Sequence, residues 1–554
     1  MKTKILPLVL LTLSQGVLAQ QIPGAGSQLQ QLPSIPVPPP AAPEIRIEET
    51  TAPPVPGAEA VRVTVKALRI TGASAFSPAE LVAASQFKPG SSLTLADLQV
   101  IASRITQHYR SHGYFVARAY LPAQSIADNV VTIAVSEGRY GNVTLRNKSR
   151  LSDSVAMGRL GGLDGGDAIT LAPLESRLLM LSDIPGVKVT STLVPGASPG
   201  TSDLIVDVVP GRAVTGSVDA DNAGNPYTGE YRLGATVDFN NPLGRGDVAS
   251  IRMLTSGPGL TYGRVSYQMP FGRVAAGVAY SRLDYELGRQ FEVLGAHGKA
   301  EVASVFGTLP LVRSRDTNLY MGLAYEHRTF QDSIDLFGAV TDKQADVAIA
   351  SLYGNHQDGF GGGGMSAFSL NVSSGSLDIQ TPGALAADAA SSRTNGSYSK
   401  FWFNATRLQR VTDRLSLHAA LSGQMASKNL DPSEQMVLGG IDGVRAYPQG
   451  EAFGDQGYLA TVELHLLLAA LSERVPGDVH VLGFVDSGHV TINKDPWYPG
   501  TNDRSLSGAG IGMVWDAPGN FAVRTYYAFK LGSEDAISAP DKSGRFWIQA
   551  VKYF

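Results

Sequence analysis

The sequence predicts a mainly β protein: a closed transmembrane barrel of about sixteen strands over residues 213–554, preceded by two α+β units. Three observations predict it. Helical periodicity disappears after Arg212. It gives way to segments of about ten residues, apolar on one side and polar or small on the other, the pattern of strands that line water and face lipid. Upstream, the order strand, helix, helix, strand, strand occurs twice, an internal repeat.

Composition agrees. Gly is abundant, with 61 in 554 residues, and charged residues make up 17%, below the ~25% usual in soluble domains. A net charge of −4 gives no nucleic-acid footprint. The chain has no Cys, which excludes a disulfide framework, a thiolate metal site and a Cys nucleophile.

Residues 1–19 read as a signal peptide: Lys2 and Lys4, the apolar Ile5–Leu13, then Val17-Leu18-Ala19 as a small-residue cleavage site. The longest later apolar run is Leu466–Leu471, far short of the ~20 residues of a membrane-spanning helix. Residues 20–57 are Pro-rich and read as an exposed polyproline linker, with Ser27–Leu32 as their only helical fragment.

Residues 58–140 form the first α+β unit. Val61–Val65 alternates, Ser77-Pro78-Ala79-Glu80 is a capping box with Pro at the first helical position, and Thr94 opens a second helix. Leu98, Ile101, Ala102, Ile105 and Tyr109 share its apolar stripe, and Gly113 ends it. Tyr114–Leu121 and Val130–Val135 follow as strands. Residues 141–212 repeat the order, with a strand at Val143 and Leu145, a helix capped by Thr170 that turns Leu174, Leu178 and Leu181 inward, and strands at Val187–Val194 and Leu204–Val209.

In the barrel region Leu233, Ala235, Val237 and Phe239 alternate with Arg232, Gly234, Thr236 and Asp238, and Val274, Ala276, Val278 and Tyr280 share a face. A soluble sandwich also alternates, but with shorter strands and a polar face richer in Lys and Glu. Backbone groups in lipid must all be paired, so the sheet closes. The last strand, Arg545–Phe554, ends on the aromatic residue that an outer-membrane barrel offers its assembly machinery. Lys552 interrupts its apolar face and is expected to snorkel to the interface.

Inside this region lies a long charged, Gly-rich loop, Asn429–Gly457, centred on Val444-Arg445-Ala446-Tyr447. Phe484, Asp486 and Gly488 lie two apart on one strand face. An Arg fork and a carboxylate in this setting read as a loop latched to a strand inside the barrel. Glu463 alternates with Thr461 and His465 toward the lumen, where it either lines a wet pore, the favoured reading, or joins the Arg445–Asp486 pair.

These residues resemble the two-partner secretion outer-membrane transporters, the haemolysin secretion/activation family. Asp221-Asn222-Ala223-Gly224, Thr228-Gly229 and Asn241–Asp247 are similar to its opening barrel hairpin, Asn429–Glu434, Leu438-Gly439-Gly440 and Val444–Tyr447 to its sixth loop, and Phe484–Gly488 to its partner strand motif. The resemblance implies two periplasmic POTRA domains, a sixteen-stranded barrel in the Gram-negative outer membrane, and loop 6 folded into the lumen with Arg445 tethered to Asp486. It also implies a partner: a large exoprotein, an adhesin, haemolysin or toxin, bound in extended form by the POTRA domains. The barrel-assembly machinery at Phe554 and outer-membrane lipid are the other expected partners. Two features depart from the family. Ala446 stands where the loop motif usually has Gly, and only Ser27–Leu32 could serve as the plug helix that members often carry.

No cofactor or metal is expected, because the nine His are scattered without recurring ligand spacing. No Ser-His-Asp or paired-carboxylate constellation supports an enzyme. The competing functions are insertion of other barrels, which usually uses more than two POTRA units, and a passive or uptake channel, which needs none.

Overall fold

The structure, a computed structural model, describes residues 22–33, 44–47 and 62–554. The expected signal peptide lies outside the described residues.

In the first α+β unit the helix Leu95–Ser111 starts at a reciprocal capping box, Thr94 with Asp97, and buries the expected stripe from Leu98 to Tyr109. It packs on a sheet in which Val130–Ser136 lies between Ala67–Thr71, parallel, and Arg118–Tyr120, antiparallel. The strand expected over Tyr114–Leu121 shrinks to those three residues. Gly113 adopts φ +87°, and Tyr114 N–H donates back to the Tyr109 carbonyl, so the chain is still turning where extension was expected. A buried carboxylate, Glu137, ties the unit together by accepting from Ser74 N (2.6 Å), Ala75 N (2.7 Å) and Tyr109 OH (2.9 Å).

The second unit packs the helices Asp153–Leu160 and Leu171–Ser182 on a four-stranded sheet. Thr170 holds the N-cap position of the latter without a side-chain capping bond, contrary to expectation. The sheet order is Glu44–Ile47, Val187–Pro195, Thr201–Pro210, Arg139–Asn147. Its first strand comes from the Pro-rich stretch and pairs in parallel with Thr190–Leu193.

The barrel strands are β1 (Val214–Asp221), β2 (Arg232–Asn240), β3 (Val248–Thr255), β4 (Leu260–Phe271), β5 (Val274–Glu286), β6 (Ala296–Arg313), β7 (Thr317–Ile334) and β8 (Ala339–Asp358). They continue as β9 (Gly364–Ile379), β10 (Gly396–Arg410), β11 (Leu415–Ala426), β12 (Gln456–Leu467), β13 (Asp478–Thr491), β14 (Asp503–Ala517), β15 (Phe521–Lys530) and β16 (Gly544–Tyr553). Each pairs antiparallel with its neighbour, and β16 pairs with β1 to close the ring. Alternation sets the faces: Leu233 and Phe239 are exposed outward, while Arg232, of the opposite parity, is buried in the lumen against Asp221 at 2.9 Å. The turns nearest the α+β units are short. Arg313 grips Asp183 with two bonds of 2.7 and 2.8 Å, and Ser152 N–H donates to the Gly244 carbonyl, docking the second unit against that rim.

A short helix, α1 (Ala25–Gln30), sits inside the barrel near its other end, with Ala25, Gly26, Ser27 and Gln28 buried. Ala25 N–H donates to Asp332 at 2.7 Å, Asn225 Nδ2 donates to Gln31 Oε1 at 2.8 Å, and Arg232 donates to the Gln31 carbonyl at 3.0 Å. For residues 22–33 this corrects the expectation of an exposed linker. The helix combines these polar bonds with apolar packing, since Ala25, Leu29 and Leu32 meet a buried cluster that includes Tyr227, Leu254 and Leu260.

Loop 6 and its seat in the barrel lumen

Between β11 and β12, residues 427–455 fold into the lumen. Leu438, Val444, Ala446 and Tyr447 are buried there with Phe484, Trp547 and Leu506 of the wall. The turn is tight: Val444 N–H donates to the Leu438 carbonyl at 2.6 Å, and Tyr447 N–H to that of Val444 at 3.0 Å.

Arg445 stands at the loop's tip, and its backbone and guanidinium donors converge on two carboxylates. Its Nε and backbone N–H donate to Asp486 Oδ2 at 2.9 and 3.1 Å, and Nη2 donates to Oδ1 at 2.7 Å. Nη1 reaches Glu463 Oε1 at 2.6 Å. The guanidinium carbon lies 3.5 Å from the centre of the Phe484 ring and 4.8 Å from that of Tyr526. A desolvated cation over a ring is worth about 2 kcal/mol. Asp486 takes a further bond from Thr461 at 3.0 Å. The Arg445 and Asp486 side chains are 4% and 0% exposed, so the pair is dry, not the partly screened contact a wet lumen would give.

Glu463 belongs to this network and does not merely line the pore. Its second oxygen binds His465 Nε2 at 2.7 Å, and the pairing of β12 with β13 brings Thr461 opposite Asp486.

The strand motif works residue by residue. Phe484 supplies the ring, Asp486 the acceptor, and Gly488 the space, since a Cβ there would lie 2.8 Å from Leu438. Ala446 finds equivalent room. Its methyl faces Gly508 of β14, where an added Cβ would approach within 2.6 Å, and its backbone lies outside the left-handed region. Ala in place of Gly is therefore accommodated by the glycine opposite. Tyr447 is fully buried and donates to the Glu534 carbonyl at 3.0 Å.

Sequence reasoning missed several partners. Trp547 of β16 donates to the Arg445 carbonyl at 2.7 Å. Arg504 of β14 holds Glu451 on the loop's return limb at 2.9 Å. The descending limb carries Asp431, 2.8 Å from Lys343, and Glu434, bonded to Arg328 and, at 2.6 Å, to Lys400. Inward parity alone would have offered Arg328, Lys343 and Lys400 as candidates, but nothing local in the sequence assigns them carboxylates so distant along the chain.

Phe554 extends the closing ladder: its N–H donates to the Gly216 carbonyl at 3.1 Å and its carbonyl accepts from Gly216 N–H at 3.2 Å. Lys552 bonds Asn520 in the adjacent turn, so its charge sits at the rim. Among the described residues no group of three or more His, Asp or Glu is arranged to hold a metal ion.

Comparison with known proteins agrees with this architecture. Residues 200–514 match the profile of the haemolysin secretion/activation protein ShlB/FhaC/HecB family, and residues 63–138 match the POTRA domain, ShlB-type. The chain is 27% identical over 476 residues to the heme/hemopexin transporter protein HuxB of Haemophilus influenzae, covering 84% of this chain and 82% of that one. It is 24% identical to the outer membrane transporter CdiB of Escherichia coli, covering 90% and 84%. The solved structure of CdiB from Escherichia coli superposes with a TM-score of 0.68 at 22% identity, over 91% of this chain and 93% of that chain. With more than half its length matched by the family profile, the chain belongs to the haemolysin secretion/activation protein family, as an outer-membrane β-barrel transporter of the two-partner secretion class.

Proposed function

We propose that this transporter carries one large partner protein across the outer membrane in extended form, and that loop 6 and α1 together close its channel at rest. The observation that carries the reading is the seating of Arg445 on Asp486 and Glu463 inside the lumen. A passive pore has no need of such a buried latch. The client enters from the periplasm, where the α+β units offer sheet edges for strand addition. In the second unit one edge already carries the chain's own Glu44–Ile47, so the open ones are its far edge, Arg139–Asn147, and the sheet edges of the first unit. Binding at these edges and folding outside the cell supply the driving force, without ATP. Phe554, at the end of the closing ladder, is the residue read by the barrel-assembly machinery during biogenesis.

The test is a secretion assay in a Gram-negative host that expresses the transporter with the large exported protein encoded beside it. Removing residues 62–212 leaves a heat-modifiable barrel in the outer membrane and strands the client in the periplasm. Normal secretion by the truncated barrel overturns the proposal. Loss of other outer-membrane barrels on depletion would assign the chain to barrel assembly instead.

A further inference from the structure

Loop 6 is held in more than one sector of the wall. Its tip engages β12 and β13 through Glu463 and Asp486, whereas its descending limb runs the other way round the ring, past β11, to β10, β8 and β7. There Asp431 and Glu434, with side chains 7% and 3% exposed, meet Lys343, Lys400 and Arg328. Glu326 pairs with Arg328 at 2.6 Å and completes the set. Three cations thus face three carboxylates, two of which belong to the loop. Withdrawing the loop leaves Glu326 on Arg328 and only the more distant Asp332 and Asp388 near Lys343, so the limb cannot leave without undoing a largely dehydrated set of direct ion pairs.

Helix α1 is seated on this same limb. Gln30 donates its side-chain amide to the Ser433 carbonyl, between Asp431 and Glu434. Gly26 lies so close that a Cβ there would come within 2.6 Å of the Ser433 Cβ. Gln31 packs on Gly450 of the return limb, 2.8 Å from the position a Cβ would take. On its other side α1 is fixed to the wall by Asp332 and Arg232.

We propose that Asp431 and Glu434 form a second latch of loop 6, independent of Arg445, and that this latch positions α1, so that loosening either one loosens the other. Asp431 and Glu434 act as positioning residues: neither needs to touch the transported chain, and both hold the surface on which the helix rests. The coupling runs both ways, because the free energy linking two contacts is reciprocal. The proposal rests on the reading of loop 6 and α1 as channel closures, but its test needs no client.

The chain contains no Cys, so single thiol reporters can be introduced cleanly. Ser27→Cys reports on the buried face of α1, Ser433→Cys on the descending limb and Ala452→Cys on the return limb. Each is labelled with a membrane-impermeant maleimide in liposomes containing the full transporter. With Asp431→Asn and Glu434→Gln combined, labelling of the α1 thiol rises about tenfold, that of the return-limb thiol stays near the parent rate, and the barrel remains heat-modifiable. Glu434→Asp in place of Glu434→Gln restores protection of the α1 thiol. Reciprocally, deleting residues 22–33 raises labelling of the descending-limb thiol. Unchanged labelling of the α1 thiol in the folded double variant overturns the proposal, as does an equal rise at the return limb, which marks general loosening. If the double variant does not fold, the deletion decides alone: an unchanged rate at the descending limb overturns the coupling. A transporter that passes these tests yet secretes no client disproves the transport reading and leaves the latch standing.

Discussion

The indole of Trp547 on the last barrel strand donates to the backbone carbonyl of Arg445 at 2.7 Å. The tip of loop 6 is therefore tied to three places at once: to β12 by Glu463, to β13 by Asp486 and to the closing strand β16 by Trp547. A change at the tip is transmitted directly to the strand that closes the ring.

Removing Arg445 leaves Asp486 buried without a counter-ion, and removing Asp486 leaves Arg445 with Glu463 as its one carboxylate; breaking such a buried pair costs about 3–5 kcal/mol. Arg445→Ala and Asp486→Ala are each expected to release the loop tip and cut secretion at least tenfold, with the barrel still inserted. The double variant is no worse than Arg445→Ala, since that change already removes every contact that Asp486→Ala takes from the guanidinium. Arg445→Lys also fails, because a point charge cannot reproduce the fork. A secretion assay beside surface abundance checks this; fully additive defects would show that the residues act independently.

Deleting residues 22–33 should give a large, steady rise in single-channel conductance. Helix α1 and its flanks fill lumen space lined by Asn225, Thr228 and Arg232. Conductance at the parent level in planar bilayers would show that loop 6 closes the pore unaided.

Glu137 gives the first α+β unit a predictable pH response. Burial pushes its carboxyl up, but the bonds from Ser74, Ala75 and Tyr109 outweigh burial and hold it below the usual value. A depressed folded-state pKa means that its contribution is complete above the unfolded value of about 4.3 and is lost as pH falls through the folded one. Glu137→Gln should lower the unit's stability by about 2 kcal/mol at neutral pH and flatten its acid sensitivity below about pH 4.3. Hydrogen exchange at the Ser74 and Ala75 amides in the full chain, followed against pH, checks both.

The bonds from Arg313 to Asp183, with Arg315 to Glu175 at 2.7 Å, fix the second unit against the barrel rim. Asp183→Asn with Glu175→Gln should leave both parts folded and broaden the distance distribution between spin labels placed on each, since partly exposed pairs contribute only about 1 kcal/mol apiece. A distribution as narrow as the parent's would assign the docking to the backbone contact of Ser152 with Gly244.

Much of this architecture is legible in the sequence because it rests on periodicity. The stripe from Leu98 to Tyr109 and the outward face from Leu233 to Phe239 follow from spacing alone. The Arg445–Asp486 relationship is legible because both residues sit in compact motifs. What stays hidden depends on the closed ring. Glu463 joins Arg445 only because the β12–β13 register sets it opposite Phe484, on the same face as Asp486, and Asp431 meets Lys343 only once the loop has turned toward β8. The burial of α1 escapes a sequence reading because a helix of six residues is too short to show a stripe, and its apolar contacts through Ala25, Leu29 and Leu32 are mixed with polar ones.

The strands are far from equal. β8 has 20 residues and β7 has 18, whereas β1 and β3 have 8 and β16 has 10. At ~3.3 Å per residue and a tilt of about 40°, the wall is about 50 Å tall at β8 and only about 20 Å at β1, less than the ~25 Å apolar band typical of such barrels. Beside the short side the bilayer must thin to meet the protein. That side also carries the ring closure, where β1 and β16 share five residue pairs, Ser217–Asp221 with Gln549–Tyr553, extended by the bonds of Gly216 with Phe554. The wall is therefore lowest where its ring is joined, so the thinnest lipid meets the protein at the seam.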